Sequence, residues 1–231
     1  MKCLLSVCLS VLAGVAIFAA SKPGQSPALQ RGISVQMAPS NHAMPMPEAD
    51  QENAWIVTVT SDGQVYFGTD QVTVEGLAEQ MKIHPRSRDA KLYVKADAGA
   101  PFNSVRQVLH AARVDLFDDV VLLTAQPETA QPGTIVPPKG LDVWVGSEAA
   151  SNFVAIQIGT DQGSATMKVD NETVAPSALQ GRLAQLFDNR AGRIIVLKAS
   201  GQVTFARLVQ AIDACQGAGA SRVTVIVAGE V

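Results

Sequence analysis

Residues 95–125 read "KADAGAPFNSVRQVLHAARVDLFDDVVLLTA", and residues 198–228 read "KASGQVTFARLVQAIDACQGAGASRVTVIVA". Laid over one another with a shift of 103 residues, they need no gap. Lys95-Ala96 meets Lys198-Ala199, Phe102 meets Phe205, Gln107 meets Gln210, Ala111 meets Ala214 and Val120 meets Val223. Identities are sparse, yet the apolar positions coincide: Val105 with Leu208, Leu109 with Ile212, Ala112 with Cys215. In each copy an aromatic residue opens a run whose apolar positions recur every three or four residues, the period of a helix that buries one face. A short β-branched run follows, "VVLLT" or "VTVIVA", with the pattern of a buried strand. A strand–helix–strand match in the same order marks an internal repeat.

The repeat extends upstream. In "WIVTVTSDGQVYFG", Ile56 to Thr60 alternates, Ser61-Asp62-Gly63 supplies turn chemistry and Val65 to Phe67 returns, which predicts a hairpin. "VEGLAEQMKIH" sets Leu77 and Met81 one helical turn apart and stops before Pro85. "KLYVKA" is a strand, and Pro101 takes a helix-starting role. The second copy runs "FVAIQIG", "SATMKV", "SALQGRLAQLF", "RIIVLKA", "TFARLVQAIDACQ" and "VTVIVA". The expected fold class is α+β. Two tandem small domains, residues 55–128 and 141–231, each form a β-sheet with two helices on one face, in the order β-β-α-β-α-β. A proline-rich linker over 129–140 separates them. Units this small have marginal cores and unpaired outer strands. The linker is long enough for the second unit to fold back on the first.

Ahead of the repeat lies the one long greasy stretch, Leu4 to Ala20, 17 residues without a charge. As a helix it spans about 25 Å, a little short of a hydrocarbon core of about 30 Å. Residues 1–21 are therefore a transmembrane anchor, or else a signal peptide cut near Ala19-Ala20-Ser21. Either way the remainder is exported. Residues 22–54 read as an extended tether, because "APSNHAMPMPEAD" carries three prolines and little periodicity. Within it "LQRGISVQM", residues 29–37, alternates like a short strand.

Chemistry is sparse. A formal charge of −3 leaves no footprint for nucleic acid, and few aromatics leave no stacking platform. The three cysteines offer no disulfide framework, and Cys215 falls on the apolar stripe of its helix. His42, His84 and His110 show no metal-ligand spacing. No nucleophile–base spacing or Gly-rich phosphate loop is present, so neither an enzyme nor a cofactor is expected. "HPRSRDAK", from His84 to Lys91, reads as a solvated basic loop. Asp97 is expected to satisfy backbone N–H groups in the strand-to-helix turn.

The order of these motifs resembles the periplasmic domain of the ExbD/TolR family, the small subunit of bacterial proton-driven motors. The carrying elements are "TSDGQVYF" with Asp62 and Gly63, "GLAEQM" with Leu77, "LYVKAD" with Asp97, "PFNSVRQVL" with Phe102 and "VVLLTAQP" with Leu122. "LQRGISVQM" is similar to the "LQ-x-G-I-x-V-x-L-P" segment that follows the family's transmembrane helix. The resemblance implies that Leu29, Gln30, Gly32, Ile33 and Val35 belong to a segment that pairs with a sheet edge or a partner. It also implies a single-pass inner-membrane protein with its bulk in the periplasm. The implied partners are an ExbB/TolQ-like polytopic motor subunit, a TonB-like protein and, as a further option, peptidoglycan. Two departures stand out. Ser200 replaces the family aspartate in the second copy, and residues 4–20 contain no Asp, Glu, His, Lys or Arg. A carboxylate in a membrane helix costs about 2.5–3.5 kcal/mol and is kept for work such as proton relay. Ser6 and Ser10 cannot do that work. The expectation is a component of a proton-motive-force-driven transport complex that does not itself carry the proton. The alternative is an anchored or secreted module that binds peptide or peptidoglycan without a motor role.

Overall fold

The computed structural model describes residues 33–83, 90–115, 117–125, 136–146, 153–161, 164–188 and 192–227. The greasy stretch, and with it Leu29, Gln30 and Gly32, lies outside them. No helix among the described residues is long and apolar enough to cross a membrane. In chain order the elements are β1 (Met44–Pro45), β2 (Trp55–Val59), β3 (Val65–Phe67), β4 (Asp70–Val72), α1 (Val74–Ile83), β5 (Leu92–Ala96), α2 (Phe102–Val114) and β6 (Asp119–Thr124). They continue with β7 (Lys139–Gly146), β8 (Val154–Asp161), β9 (Ser164–Val169), β10 (Glu172–Thr173), α3 (Leu179–Asp188), β11 (Ile194–Ala199), α4 (Phe205–Gly217) and β12 (Arg222–Ile226).

All twelve strands join one mixed sheet. Its order, β10-β9-β8-β11-β12-β7-β6-β5-β2-β3-β4, reads the same from either end once β2 to β6 are matched with β8 to β12. β7 is the centre of that palindrome. In each half the three inner strands (β2, β5, β6 or β8, β11, β12) are parallel, and the hairpin strands outside them are antiparallel. β7 pairs antiparallel with β6 over six residue pairs and parallel with β12 over three. The halves therefore run in opposite directions across β7.

Alternation along the strands sorts their side chains into two layers. Val57, Val94, Leu122, Val143, Ile156, Leu197 and Val225 point into one continuous core with the buried faces of all four helices. Phe102 and Phe205, at the first positions of α2 and α4, are both fully buried in it. So is Cys215, whose thiol is pushed far up by burial and behaves as a small hydrophobe. The opposite layer is smaller: Ile56, Tyr93, Val121 and Leu123 with Met46 and Ala49 laid over them.

The loops that open α2 and α4 also meet. Neither helix has a side-chain N-cap hydrogen bond, so its first N–H groups need other acceptors. Phe102 N–H donates to Val203 O and Phe205 N–H donates to Ala100 O, both at 2.8 Å. Asn103 N–H donates to Gly201 O at 3.1 Å, and Ala206 N–H donates to Ala98 O at 3.0 Å. Each bond has its counterpart 103 residues away, around a bridge between Pro101 and Thr204. Each copy caps the other's helix.

The structure departs from the sequence expectations in three places. Each hairpin carries a third short strand, β4 or β10, where Thr-, Gln- and Glu-containing residues give no apolar signal. β7 begins at Lys139, inside the stretch expected as linker, and Leu141, Val143 and Val145 alternate into the core. Residues 33–54 are not an exposed tether. Ala38, Met46 and Ala49 are 1%, 6% and 2% exposed, because isolated apolar residues among the prolines find grooves that no periodicity announces.

The two copies share one sheet and one core, which predicts that they unfold together. Unfolding of the full chain followed at Trp55 (in a W144F background) and at Trp144 (in W55F) is expected to give one midpoint; two midpoints would mean separate domains. A Cβ at Gly140 would lie 2.4 Å from Val121 Cγ1 and 3.1 Å from Leu122 O. Gly140→Val is therefore expected to wedge β7 from β6 and cost about 1–3 kcal/mol, read as a lower denaturation midpoint at both tryptophans.

Candidate functional site

The segment that leads into the repeat touches both halves of the molecule. Its first contact is with the C-terminal ends of β5 and β6. Met37 bridges Asp97, and Pro39 bridges Ala125. Ala98 N–H donates to Gln36 O at 2.7 Å and Ala125 N–H to Ala38 O at 2.9 Å. Asp97 closes the clamp: Oδ1 accepts from Gly99 N–H at 2.9 Å within its own turn, and Oδ2 accepts from Gln36 N–H at 3.0 Å. Ile33 and Val35, of the five residues expected to form a partner-binding segment, are half-buried here. The bonds to the strand ends are made just beyond them, at Gln36, Met37, Ala38 and Pro39.

The second contact is with α4. Asp213 Oδ1 accepts from Asn41 N–H at 3.0 Å, from His42 N–H at 2.8 Å and from the Ser40 hydroxyl. His42 Nδ1 lies 3.3 Å from Asp213 Oδ2, and Ser40 Oγ in turn accepts from Ala43 N–H at 3.1 Å. Burial pushes the Asp213 carboxyl up, but the donors from Ser40 and His42 outweigh it and hold the group below its ordinary value. Gly217 makes room: a Cβ there would sit 2.5 Å from the His42 ring.

The third contact carries the chain through to the opposite layer. β1 pairs with Lys139 and Gly140 of β7, on the length of β7 that the shorter β12 leaves free. Met46 N–H donates to Pro138 O at 2.6 Å. Pro47 then starts a single 3-10 turn, Pro47–Asp50, and drops Ala49 onto Tyr93 and Val121. Residues 33–54 are thus a strap: clamped at the first copy, clasped by a helix of the second, and threaded from the helix layer to the back of the sheet.

The family-pattern positions fall into separate roles. Leu77, Phe102 and Leu122 are fully buried in the core. Gly63 has φ +83° at the hairpin tip and rests against Ser104 of α2. Asp62 accepts from the Thr60 hydroxyl and, at 2.8 Å, from Gln64 Nε2. The Thr60 bond holds its carboxyl below the ordinary value. Asp97 accepts a hydrogen bond from the strap. Asp213, Ser40 and His42 were not singled out for this role from sequence, and the lone acid in "LVQAIDACQ" was the only available signal. Among the described residues no group of His, Cys, Asp and Glu has metal-binding geometry.

The clasp has a pH signature. Because Asp213 is depressed in the folded state, its contribution is complete above the ordinary carboxyl value of about 3.9 and is lost as pH falls through the folded value. Protection of the Asn41, His42 and Met46 amides, taken relative to the intrinsic exchange rate at each pH, is expected to fall below about pH 4 while β5 and β11 stay protected. Asp213→Asn should lower it at neutral pH and remove the acid step. Asp213→Ala should cost about 2 kcal/mol. Unchanged exchange in either variant would show that the clasp does not hold the strap.

A family model described as "Biopolymer transport protein ExbD/TolR" matches residues 15–128 and matches again over residues 120–229. No curated protein and no solved structure matches the chain. The first match begins inside the greasy stretch, and the second covers β7 to β12. With nearly the whole chain matched by one family model taken twice, this protein belongs to the ExbD/TolR family.

Proposed function

We propose that the chain is a component of an inner-membrane, proton-motive-force-driven complex for biopolymer transport, in which another subunit carries the proton. The observation that carries this reading is the pairing of a family match from residue 15 onward with an apolar run devoid of titratable groups. Family membership supports a part in biopolymer transport. The missing carboxylate supports a part outside the proton path. In this reading residues 1–21 anchor the chain in a single pass, the bulk lies in the periplasm, and the two ExbD-like copies work together through the one sheet they share. Its partners are an ExbB/TolQ-like polytopic subunit and a TonB-like protein. The family's activity is non-enzymatic, and in this reading the chain works by binding.

Fractionation with mass determination of the N-terminus tests the anchor. The protein is expected to resist carbonate extraction and to retain residues 4–20. Carbonate-extractable protein beginning at Lys22 would instead favour a released binding module. Co-purification of a polytopic subunit is expected to depend on the same residues. Replacing Ser6 and Ser10 by Ala should leave partner-dependent transport intact at normal protein levels, and a loss with the anchor still inserted would return the proton path to this chain.

A further inference from the structure

Where the strap turns over the back of the sheet it roofs a cavity of about 370 Å³. That is within the range of small-ligand sites, about 300–1,000 Å³. Met46, Trp55 and Tyr93 line it as buried residues, 6%, 6% and 4% exposed, and Glu48, Gln51 and Lys91 stand at its mouth. Among the described residues the cavity is lined by the strap and the first copy. By strand register the second copy has Val154 for Trp55, Val196 for Tyr93 and Ile194 for Lys91, and the strap's turn roofs only the first copy.

The charges around it are unequal. Among the described residues Lys91 is the one cation lining the cavity, and it is already engaged: Nζ lies 2.8 Å from Asp142 Oδ1 and 3.9 Å from Asp119 Oδ2. Asp142 and Asp119 hold its ammonium above its ordinary pKa even though burial works the other way. Asp119 Oδ1 is shut away from solvent with no hydrogen-bond partner among the described residues. Glu48 forms no ion pair among the described residues, and its field reaches the cavity wall. Burial first, and then the Glu48 carboxylate, raise the pKa of the Tyr93 phenol. Among the described lining residues the charges are thus Lys91, already paired with Asp142 and Asp119, and Glu48, which is not paired, beside an aromatic and thioether lining. Such a lining favours a positive group with an apolar stem, through ring faces and a nearby carboxylate.

We propose that this cavity is a binding site for a small organic cation, an alkylammonium or alkylguanidinium group, seated over Tyr93 and Met46 with its charge toward Glu48. The site is independent of the transport reading. The test uses the purified, isotope-labelled full chain, titrated with butylguanidinium, butylammonium and the neutral isostere butylurea. Both cations are expected to shift the amide signals of Ala54, Ala90 and Tyr93, with butylurea at least roughly tenfold weaker. Added salt should weaken both cations. Glu48→Gln changes an exposed side chain and should weaken the cations roughly tenfold. Lys91→Gln removes the competing internal cation and should tighten them severalfold, a gain that damage to the fold does not mimic. Equal binding of butylurea, unaltered affinity in Glu48→Gln, weaker binding in a folded Lys91→Gln, or shifts confined to other residues would each overturn the site.

Discussion

Four backbone hydrogen bonds between the loops that open α2 and α4 set the arrangement on which the rest of this molecule depends. A helix begins with N–H groups that have no partner inside it, and leaving such donors buried and unpaired costs about 1–3 kcal/mol each. Proteins usually meet this need with a Ser, Thr, Asp or Asn side chain. Here α2 starts after Pro101, which has no such side chain, and Thr204 ahead of α4 makes no side-chain cap bond. The acceptors are instead Val203 O and Gly201 O for α2, and Ala100 O and Ala98 O for α4. Since Phe102 and Phe205 open these helices fully buried, their own N–H donors are shut away from water. Separating the copies would strip four caps and expose two aromatic anchors together. Mutual capping makes the repeat a single structural unit.

That symmetry is broken by β7 and the strap. β12 contacts β7 only over Thr224 to Ile226, whereas β6 contacts it from Asp119 to Thr124. The free length at Lys139 and Gly140 is where β1 enters. At the opposite end of the strap, Asp97 receives Gln36 N–H, and the corresponding residue of the second copy is Ser200. A serine there is shorter and uncharged, and among the described residues no segment is hydrogen-bonded to its side chain as the strap is to Asp97. One substitution and one shortened strand pairing thus decide which copy is strapped. The carboxylate that family resemblance marks at residue 97 has a local turn to satisfy and an incoming chain to hold, and a carboxylate has oxygens enough for both.

The repeat was legible in the sequence because it is written in core residues. Val105, Leu109 and Ala112 repeat as Leu208, Ile212 and Cys215, and α2 and α4 span the corresponding 13 residues in the structure. Gly219, φ +83°, ends α4 with Ala220 N–H bonded to Cys215 O, as a glycine after an apolar helix leads one to expect. The strap was not legible. Its contacts are made by backbone groups, by Ser40 and His42 reaching across more than 170 residues to Asp213, and by single apolar residues with no period. The proline content that reads as an exposed tether serves another end here. Pro47 starts a tight turn, and Pro45 pairs at the margin of β7, where a missing donor is tolerated.

The strap also fixes how force entering from the N-terminus would be shared. Whatever precedes residue 33 joins the fold first at Gln36, Met37 and Ala38, whose bonds lie on the first copy's strand ends. Tension there loads Asp97 and Ala125 before it reaches Asp213 on α4, and reaches Met46 and Ala49 last. The order runs from exposed hydrogen bonds, which open at low free-energy cost, to buried apolar contacts, which do not. Because the Asp213 clasp sits on the second copy while the clamp sits on the first, a pull on the strap is divided between halves that run antiparallel across β7. Those halves are themselves joined by mutual helix caps, so the load passes into the whole sheet rather than into one small domain. A single copy, with its outer strands and helix N-termini unmet, would have no such second support.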